Sequence, residues 1–307
     1  MSRVFVLGNA TVDQVHCVER LPAPGETVLA SGIARCAGGK GLNQAVAAAR
    51  TGARVTLAAP VGRDADADLL AQSLAGEAEL EALWLAGDAP TDLSSIWVAE
   101  GGENVIVSSA GCARSITPEQ AMRLCDTLVP GDFLLLQGNL SAQATHAAAE
   151  AGRARGASCV LNTAPIAWDM HALLRLCDIV IANAGEAAIL TAGAADVGKA
   201  LRARGAGTGI VTLGPRGALI STEAGQATIA APQVETVDTA GAGDVFAGTL
   251  VGLLSTGHPL GLATQTAVAA ASLSVTRRNT MPSFPTRSEI ASLLERGRRP
   301  MPGSAHA

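Results

Sequence analysis

Two glycines and an aspartate precede an apolar helix in the C-terminal third of the chain, in the segment Asp238-Thr-Ala-Gly-Ala-Gly-Asp244. Gly241 and Gly243 let the backbone turn tightly, and the helix predicted over 245–254 adds a partial positive charge at its first turn. N–H groups at such a place bind phosphate. A carboxylate there suits a base that takes a proton from a hydroxyl attacking the phosphate, and we assign that role to Asp244. The alternative is an aspartate that caps the helix.

A second glycine-rich segment, Ala37-Gly-Gly-Lys-Gly-Leu-Asn43, also leads into a predicted helix, over 41–50. Gly38 and Gly39 allow a ligand to approach the backbone closely. Asn43 in the first helical turn offers both a donor and an acceptor, which suits sugar hydroxyls. The segment differs from a Walker A phosphate loop because glycine, not Ser or Thr, follows its lysine. A plain strand-to-helix turn is the alternative.

Three further segments place polar groups after predicted strands. Asn183 and Glu186 share one face of a first helical turn, where they would hold a hydrated Mg²⁺ or form a capping box. Thr212-Leu-Gly-Pro-Arg-Gly217 would lie against a nucleotide or form a hairpin turn. Asp13 would accept hydrogen bonds from two neighbouring hydroxyls; the alternative is a solvated surface aspartate.

Short apolar strands alternate with longer helices through most of the chain, and this alternation would position those segments. It is typical of βαβ units and a mainly parallel sheet, so we predict an α/β fold. Ligands bind such sheets at the carboxyl ends of the strands. The predicted strands cover 4–8, 54–61, 133–137, 158–162, 179–182 and 210–213, and the predicted helices cover 41–50, 65–74, 142–155, 245–254 and 260–275.

Two stretches, 12–35 and 91–110, interrupt the alternation with short strands and turns but no intervening helix. We interpret them as antiparallel β-ribbons that stand off the main sheet and form a lid over the site. An extension of the sheet edge is the alternative. The tail, 296–307, is rich in Arg, Pro and Gly, and we predict that it is flexible. The core then comprises the remaining segments, 1–11, 36–90 and 111–295.

The overall composition argues against several classes of function. Of the 307 residues, 48% are hydrophobic and 16% are charged, and the net charge is −5. No Lys/Arg-rich stretch supplies the basic surface of a nucleic-acid-binding protein, and the long apolar stretches are interrupted by polar residues. The first residues resemble a strand rather than a signal peptide, and the six cysteines form no Cys-x-x-Cys pair. We therefore expect a cytoplasmic protein that binds neither nucleic acid nor membrane.

The order and spacing of these segments resemble the ribokinase-like, PfkB-type carbohydrate kinases. Gly38-Gly-Lys-Gly-x-Asn43-Gln-Ala is similar to the N-terminal signature of that family. Asp238-Thr-x-x-Ala-Gly-Asp244-x-Phe-x-Gly248 is similar to its C-terminal signature. Asn183-x-x-Glu186 and Thr212-Leu-Gly lie between the two in the expected order, and the resemblance covers nearly the whole chain.

The resemblance implies a ribokinase-like core of nine or so strands with a β-ribbon lid, and a homodimer formed through the lids. It implies that ATP phosphorylates a sugar hydroxyl with Mg²⁺ present and a structural monovalent cation such as K⁺. Asp244 would be the base, and the anion hole would be the N–H groups of Gly241, Ala242 and Gly243. The sugar would contact Thr11, Asp13, Gly38, Gly39, Lys40, Asn43, Asn139 and Asp244. ATP would contact Asn183, Thr212, Leu213, Gly214, Arg216, Gly217 and Gly243, with Glu186 holding Mg²⁺ through water. The monovalent cation would contact Asp238, Ala240, Ser274, Arg277, Asn279 and Ser283.

Three positions depart from the family pattern. Thr11 stands where relatives usually carry Asn, and Asn139 stands where they usually carry Glu, so the identity of the sugar stays open. Asn279 replaces a glycine beside the cation site, which leaves a K⁺ requirement open. A nucleoside kinase of the same fold is one alternative, and it would need a base-stacking surface such as Trp97. A catalytically silent sugar-binding regulator is the other, and the retained Asp244 argues against it.

Overall fold

A computed structural model describes residues 2–101 and 103–298 of the chain. Nine of its strands form one sheet, in which the first seven in chain order are parallel and the last two are antiparallel. The described residues contain β1 (Arg3–Leu7), β2 (Thr11–Val18), β3 (Gly32–Gly38), β4 (Arg54–Val61), β5 (Leu80–Ala86), β6 (Leu93–Ala99), β7 (Asn104–Ser108), β8 (Phe133–Leu136), β9 (Ser158–Asn162), β10 (Ile179–Asn183), β11 (Thr208–Thr212), β12 (Ala218–Thr222) and β13 (Gly225–Ile229). The order across the large sheet is β13-β12-β11-β10-β9-β8-β1-β4-β5.

Helices cover both faces of this sheet, as expected for a parallel α/β fold. Every strand and helix predicted from the apolar pattern is present, and the ends differ by at most three residues. The pattern did not identify β5, β12, β13 or several short helices. The helices are α1 (Lys40–Ala49), α2 (Ala65–Ser73), α3 (Pro118–Cys125), α4 (Ala142–Ala154), α5 (His171–Leu174), α6 (Ala184–Leu190), α7 (Val197–Ala203), α8 (Ala242–Ser255), α9 (Leu260–Ser274) and α10 (Arg287–Arg298).

The core lies on both sides of the sheet, and β1 shows how one strand serves both. Val4 and Val6 pack into the cluster that contains residues of α1, α8 and α9. Phe5 and Leu7 point the other way, into the cluster that contains residues of α3 and α4. All four side chains are at most 2% exposed. Alternate residues of a strand face opposite sides, so a strand covered on both faces is apolar throughout.

Helices α1 and α8 approach each other unusually closely because α8 presents glycines to α1. A Cβ atom on Gly248 would lie 2.3 Å from the carbonyl oxygen of Gln44. One turn later, a Cβ on Gly252 would lie 2.8 Å from the carbonyl oxygen of Ala48. Only glycine permits backbones to come this near. The contact holds the first turns of the two helices side by side, and these are the turns that carry the two sequence signatures.

The predicted lid is a separate four-stranded sheet with the strand order β3-β2-β6-β7. Its two ribbons, β2–β3 and β6–β7, are antiparallel as predicted. They join through a parallel pair, β2–β6, which the sequence did not reveal. Because none of these strands pairs with the nine-stranded sheet, the alternative of a sheet-edge extension is wrong.

The tail predicted to be flexible begins inside a helix, since α10 extends to Arg298. The rest of that predicted tail lies outside the described residues. No helix in the described part of the chain is both long enough and apolar enough to cross a membrane.

Candidate active site

Each of the two glycine-rich segments contains a glycine with positive φ at the N-cap of a helix. Gly39 (φ 93°) precedes α1 and Gly241 (φ 77°) precedes α8. A Cβ on Gly39 would lie 2.8 Å from the backbone nitrogen of Thr11, so the chain has no room for a side chain there. Both turns therefore require glycine for their backbone conformation. They place two helix N-termini at the same edge of the sheet.

Asp244 lies in the third position of α8 and is only 5% exposed. Its Oδ2 accepts a hydrogen bond from Asn43 Nδ2 at 3.1 Å, and its Oδ1 accepts one from Gln44 Nε2 at 2.9 Å. Lys40 Nζ lies 3.7 Å from Oδ1. The helix cap is Gly241, and no side chain caps it, so the alternative of Asp244 as an N-cap is wrong. The structure thus brings together the two signatures that the sequence separates.

The first turn of α8 leaves the N–H group of Gly243 available to an anion, but the Ala242 N–H, which the resemblance also assigned to the anion hole, is already hydrogen-bonded. Asp244 and Val245 both donate their N–H groups to the carbonyl of Gly241, at 2.9 Å each, and Ala242 donates to Thr239 at 3.3 Å. The N–H group of Gly243 has no backbone acceptor among the described residues. A Cβ on Gly243 would meet only open space. The exposed N–H of Gly243, at the positive end of a helix dipole, is suited to a phosphate oxygen.

A cavity of about 670 Å³ extends from this turn across the carboxyl ends of β10 and β11. A volume of this size suits a nucleotide-sized ligand. Lys40 and Asp244 line one end. Arg216, which the family resemblance assigned to the ATP contacts, is not among the lining residues. The other predicted nucleotide contacts all line the cavity, namely Asn183, Thr212, Leu213, Gly214, Gly217 and Gly243, together with Glu186.

Asn183 and Glu186 form a capping box at the start of α6. Asn183 Oδ1 accepts from the N–H of Glu186 at 2.9 Å, and Glu186 Oε2 accepts from the N–H of Asn183 at 3.0 Å. Thr163 Oγ1 donates to Glu186 Oε2 at 2.8 Å. The capping interpretation is therefore confirmed, and it fixes the Glu186 carboxylate at the cavity wall. A carboxylate oxygen accepts more than one hydrogen bond, so Glu186 can also accept from water on a bound Mg²⁺.

The segment after β11 is both a hairpin turn and part of the cavity wall. Strands β11 and β12 are antiparallel neighbours, and Gly214–Arg216 form a 3₁₀ turn between them. Gly217 has φ 94°, and a Cβ there would lie 1.9 Å from the carbonyl oxygen of Ile229. The two interpretations of this segment are thus compatible, because a tight glycine turn leaves its backbone free to face a ligand.

The predicted sugar end lies between β2 and the first turn of α1. Thr11 Oγ1 donates to Asp13 Oδ1 at 3.0 Å, and Asp13 is only 8% exposed, so Asp13 is not a solvated surface residue. Burial raises the pKa of Asp13, with a smaller contribution from the negative charge of Asp244 and an opposing one from the Thr11 hydrogen bond. A Cβ on Gly38 would lie 2.2 Å from Asp13 Oδ2, so a side chain there would displace the Asp13 carboxylate.

Among the predicted sugar contacts, two amide oxygens are buried without a hydrogen-bond partner in the described structure, Asn43 Oδ1 and Asn139 Oδ1; Gln137 Oε1, which is not a predicted sugar contact, is in the same state. Buried polar atoms of this kind are uncommon in folded proteins and often mark a ligand site. Both can accept hydrogen bonds from hydroxyl groups. Among the predicted sugar contacts, these two side chains therefore have acceptor capacity left over.

The predicted cation site is a loop closed by one carboxylate. Asp238 accepts from the N–H of Ala240 at 2.9 Å through Oδ1 and from the N–H of Asn279 at 3.1 Å through Oδ2. Asn279 has φ 68°, a conformation that Asn adopts more readily than other non-glycine residues. Asn can therefore take the backbone conformation at this position, where the family pattern has glycine. Ser283 Oγ donates to Thr280, and the Ser274 carbonyl accepts from Arg277. Within the described residues, no three His, Cys, Asp or Glu side chains gather around a metal-sized space.

Several residues of the site were not assigned a role from sequence. Gln44 and Gln137 were quoted within motifs, but nothing in their spacing marked them as partners of Asp244. Part of the cavity wall comes from the loop after β13 and from α9, including Pro232, Val234 and Ala271. These apolar side chains look like ordinary core residues in the sequence, so no local signal distinguishes them.

Comparison with known proteins agrees with this geometry. The sequence matches the family described as pfkB family carbohydrate kinase over residues 1–287. The ribokinase of Haemophilus influenzae is 34% identical over 299 residues, which cover 94% of this chain and 97% of that protein. The deoxyribokinase of Salmonella typhi is 30% identical over 297 residues, which cover 92% of this chain and 95% of that protein.

Solved structures show the same architecture. The ribokinase from Thermotoga maritima superposes with a TM-score of 0.89 at 27% identity, covering 96% of this chain and 100% of that one. The Arabidopsis thaliana ribokinase complexed with ribose and ATP gives a TM-score of 0.85 at 26% identity, covering 96% of this chain and 99% of that one. This chain therefore belongs to the pfkB family of carbohydrate kinases and is an ATP-dependent carbohydrate kinase.

Proposed function

We propose that the protein transfers the γ-phosphoryl group of ATP to a hydroxyl of a small sugar, with Asp244 as the catalytic base. The observation that carries this proposal is the position of a buried carboxylate beside an exposed N–H group at a helix start. Phosphoryl transfer needs an in-line hydroxyl and charge stabilisation more than covalent chemistry. Asp244 would orient the hydroxyl, while the Gly241–Gly243 turn would stabilise the charge on the transferred group.

ATP would lie along the cavity with its phosphates toward the first turn of α8. Part of the cavity wall, with Val234, Ala271 and Val275, is apolar and suits the adenine ring. Thr212 and Gly217 would present the hairpin backbone between the two ends. Mg²⁺ on the phosphates would neutralise part of their charge, and Glu186 would hold its waters.

The sugar would occupy the space between the lid strand β2 and the start of α1. The Asp13 carboxylate would accept hydrogen bonds from sugar hydroxyls, with Thr11 fixing its orientation. Asn43 has a carbonyl oxygen to spare, since its amide nitrogen is already bonded to Asp244. Asn139 would supply a further acceptor. A substrate rich in hydroxyl donors satisfies all of these groups.

The proton would leave the sugar late in the reaction. A carboxylate is a weak base toward an alcohol, and the hydroxyl becomes acidic only as its oxygen bonds to phosphorus. The four-stranded lid would exclude water during this step and limit the hydrolysis of ATP. Asp238, the nearby carbonyls and Ser283 form an all-oxygen set, which is the chemistry that a hard cation such as K⁺ prefers.

The alternative of a nucleoside kinase finds no support at the lid. Asp13 pairs with Ser94 across the β2–β6 contact, so Ser94 lies on the sugar side of the lid. Trp97 follows Ser94 by three positions on β6, and odd spacing along a strand places it on the opposite face. The aromatic ring that was the candidate base-stacking surface therefore points away from the sugar.

The test is ATP consumption against a panel of pentoses, hexoses, keto-deoxy acids and nucleosides. We expect turnover with at least one neutral pentose or hexose, because Asp13 and the buried carbonyl oxygens accept hydroxyl hydrogens. Turnover with nucleosides alone, or with none of these compounds, would contradict the proposal. A sugar that binds without ATP consumption would instead support a silent regulator.

We further propose that two chains associate through their lids. Ile33 on β3 and Ile106 and Val107 on β7 are 64%, 56% and 59% exposed, an unusual number of bare apolar side chains on one small sheet. Both strands are also edge strands with open hydrogen-bonding groups. The six free cysteines fit a reducing compartment, and we place the protein in the cytoplasm.

Sedimentation of Ile106→Lys would test the lid contact. We expect a dimer for the unaltered chain and a monomer for Ile106→Lys. Leu83→Lys is a matched control, because Leu83 is an exposed apolar residue on β5 of the other sheet. A monomeric unaltered chain, or equal behaviour of the two variants, would contradict a dimer through the lid.

A further inference from the structure

Two buried amide side chains form a series of hydrogen bonds that ends on the Asp244 carboxylate. Gln44 Nε2 donates to Asp244 Oδ1 at 2.9 Å, and Gln137 Nε2 donates to Gln44 Oε1 at 3.0 Å. Gln44 is 0% exposed and Gln137 is 1% exposed. Neither side chain lines the nucleotide cavity. Two glutamines buried this deeply, and bonded in series to a candidate base, require a reason beyond packing.

The chemistry of a carboxylate fixes which group donates in each of these hydrogen bonds. An ionised carboxylate only accepts hydrogen bonds, so Gln44 must turn its NH₂ group toward Asp244. Its carbonyl oxygen then faces Gln137, which must donate in turn. Reversing either amide would place two acceptors against each other. The carboxylate thus sets the orientation of the Gln44 amide, and the donor on Gln137 holds the amide in that orientation.

The two amides and the carboxylate belong to three different elements of the fold, so their hydrogen bonds tie these elements together. Gln137 follows β8, Gln44 lies on α1 and Asp244 lies on α8. The Gln137 side chain is itself confined, because a Cβ on Gly8 would lie 2.1 Å from its Oε1. Its Nε2 also lies 3.5 Å from the carbonyl oxygen of Leu135. The outer end of the series is thus packed against the sheet, while Gln137 Oε1 has no hydrogen-bond partner among the described residues.

We propose that Gln44 and Gln137 are positioning residues that lock the rotation of the Asp244 carboxylate toward the acceptor hydroxyl. The proposal rests on the assignment of Asp244 as the base. With Gln44 on Oδ1 and Asn43 on Oδ2, each oxygen has a donor that stops the group from turning. The remaining lone pairs then point in a fixed direction. Orientation of this kind contributes to catalysis because the reacting atoms meet already aligned.

Gln137→Glu tests the direction of these hydrogen bonds without altering a residue that lines the nucleotide cavity. A charged Glu at residue 137 would accept rather than donate, so the Gln44 amide would flip and present its oxygen to Asp244. We expect kcat at neutral pH to fall by roughly 10- to 100-fold with KM for ATP unchanged, since small misplacements at a reacting group have effects of this size. The assay uses the sugar with the highest kcat/KM in the panel above.

The pH profile separates this effect from structural damage. Burial at this position, where Gln137 is 1% exposed, holds a Glu neutral to a higher pH than usual. The Asp244 charge, to which residue 137 is linked through Gln44, acts in the same direction, and the Lys40 charge opposes it. Once this Glu is protonated, its O–H donates to Gln44 again. We therefore expect the ratio of wild-type kcat to Gln137→Glu kcat to shrink as pH falls. Gln137→Met removes the donor without adding an acceptor and should give a smaller, pH-independent loss.

Gln44→Met is the second variant, in case Gln137→Glu does not fold. It keeps the side-chain length but deletes the donor to Asp244, so kcat should fall at least tenfold while ATP still binds. A wild-type kcat in Gln44→Met, or a wild-type kcat at every pH in a folded Gln137→Glu, would overturn the proposal that these glutamines position Asp244. These outcomes are distinct from failure of the base assignment, which would show as normal turnover in Asp244→Asn.

Discussion

The contact between α1 and α8 sets the distance between the two halves of the active site, and Gly248→Ala tests it. A Cβ on Gly248 would lie 2.3 Å from the Gln44 carbonyl oxygen, about 1.1 Å inside the 3.4 Å at which ordinary van der Waals contact begins. Backbone atoms in a packed helix pair yield by moving the whole helix. The helices would therefore have to separate by about that distance.

Gly261→Ala is the matched control because Gly261 lies in α9 and a Cβ there meets nothing within 4 Å. Both substitutions replace a helical glycine by alanine, which gains up to about 1 kcal/mol of helix propensity in a helix interior and less in the first turn, where Gly261 lies. Only Gly248→Ala adds an overpacking penalty, of about 1–3 kcal/mol. The free energies of unfolding of the two variants should thus differ by about 1–3 kcal/mol, with Gly248→Ala the less stable.

The same movement should damage catalysis. A displacement of about 1 Å between reacting groups lowers turnover by roughly 100-fold, and Asn43 and Gln44 on α1 hold Asp244 on α8. Denaturant unfolding followed by circular dichroism gives the stability, and coupled ATP consumption gives kcat. Equal stability and equal kcat in the Gly248→Ala and Gly261→Ala variants would refute the claim that this contact positions the site.

Two further predictions concern the two ends of the site. Burial raises the pKa of Asp13, so as pH falls its carboxylate should be lost above the usual aspartate range near about 3.9, and KM for the sugar should rise there. Asp13→Asn should show a higher KM that is flat with pH in this range; a wild-type pH profile in that variant would exclude Asp13 as a sugar ligand. Gly217→Ala should raise KM for ATP about tenfold or more, through strain of roughly 1–3 kcal/mol and a clash with Ile229. Gly214→Ala, in the same turn, also strains a positive-φ backbone (φ 59°) but faces open space, so it should raise KM for ATP less than Gly217→Ala does; equal effects of the two would contradict the prediction.

The fold and the phosphate end of the site were largely readable from sequence because their signals are local. Glycines at tight turns and apolar runs of strand length identify α1, α8 and the parallel strands directly. The strand β13 was missed because it is mostly exposed and lacks an apolar run. The parallel pairing of β2 with β6 joins residues far apart in the chain, and nothing in either strand specifies it.

The supporting amides were the least predictable part of the site. Gln44 and Gln137 are polar residues in apolar surroundings, and their spacing carries no periodic signal. Only the folded arrangement shows that both lie on a line ending at Asp244. Arg216 is the opposite case: its motif assigned it to the ATP contacts, but the folded chain does not place it on the cavity wall.

The central claim is that Asp244 acts as the base, and the most direct measurement is single-turnover phosphoryl transfer by Asp244→Asn. The amide keeps the size of the side chain but cannot accept the proton. We expect the rate to fall by a factor of about 100 to 10,000, the range typical of a lost general base, while the affinity for ATP stays within a few-fold of wild type. A near-normal transfer rate with normal ATP binding would contradict the account.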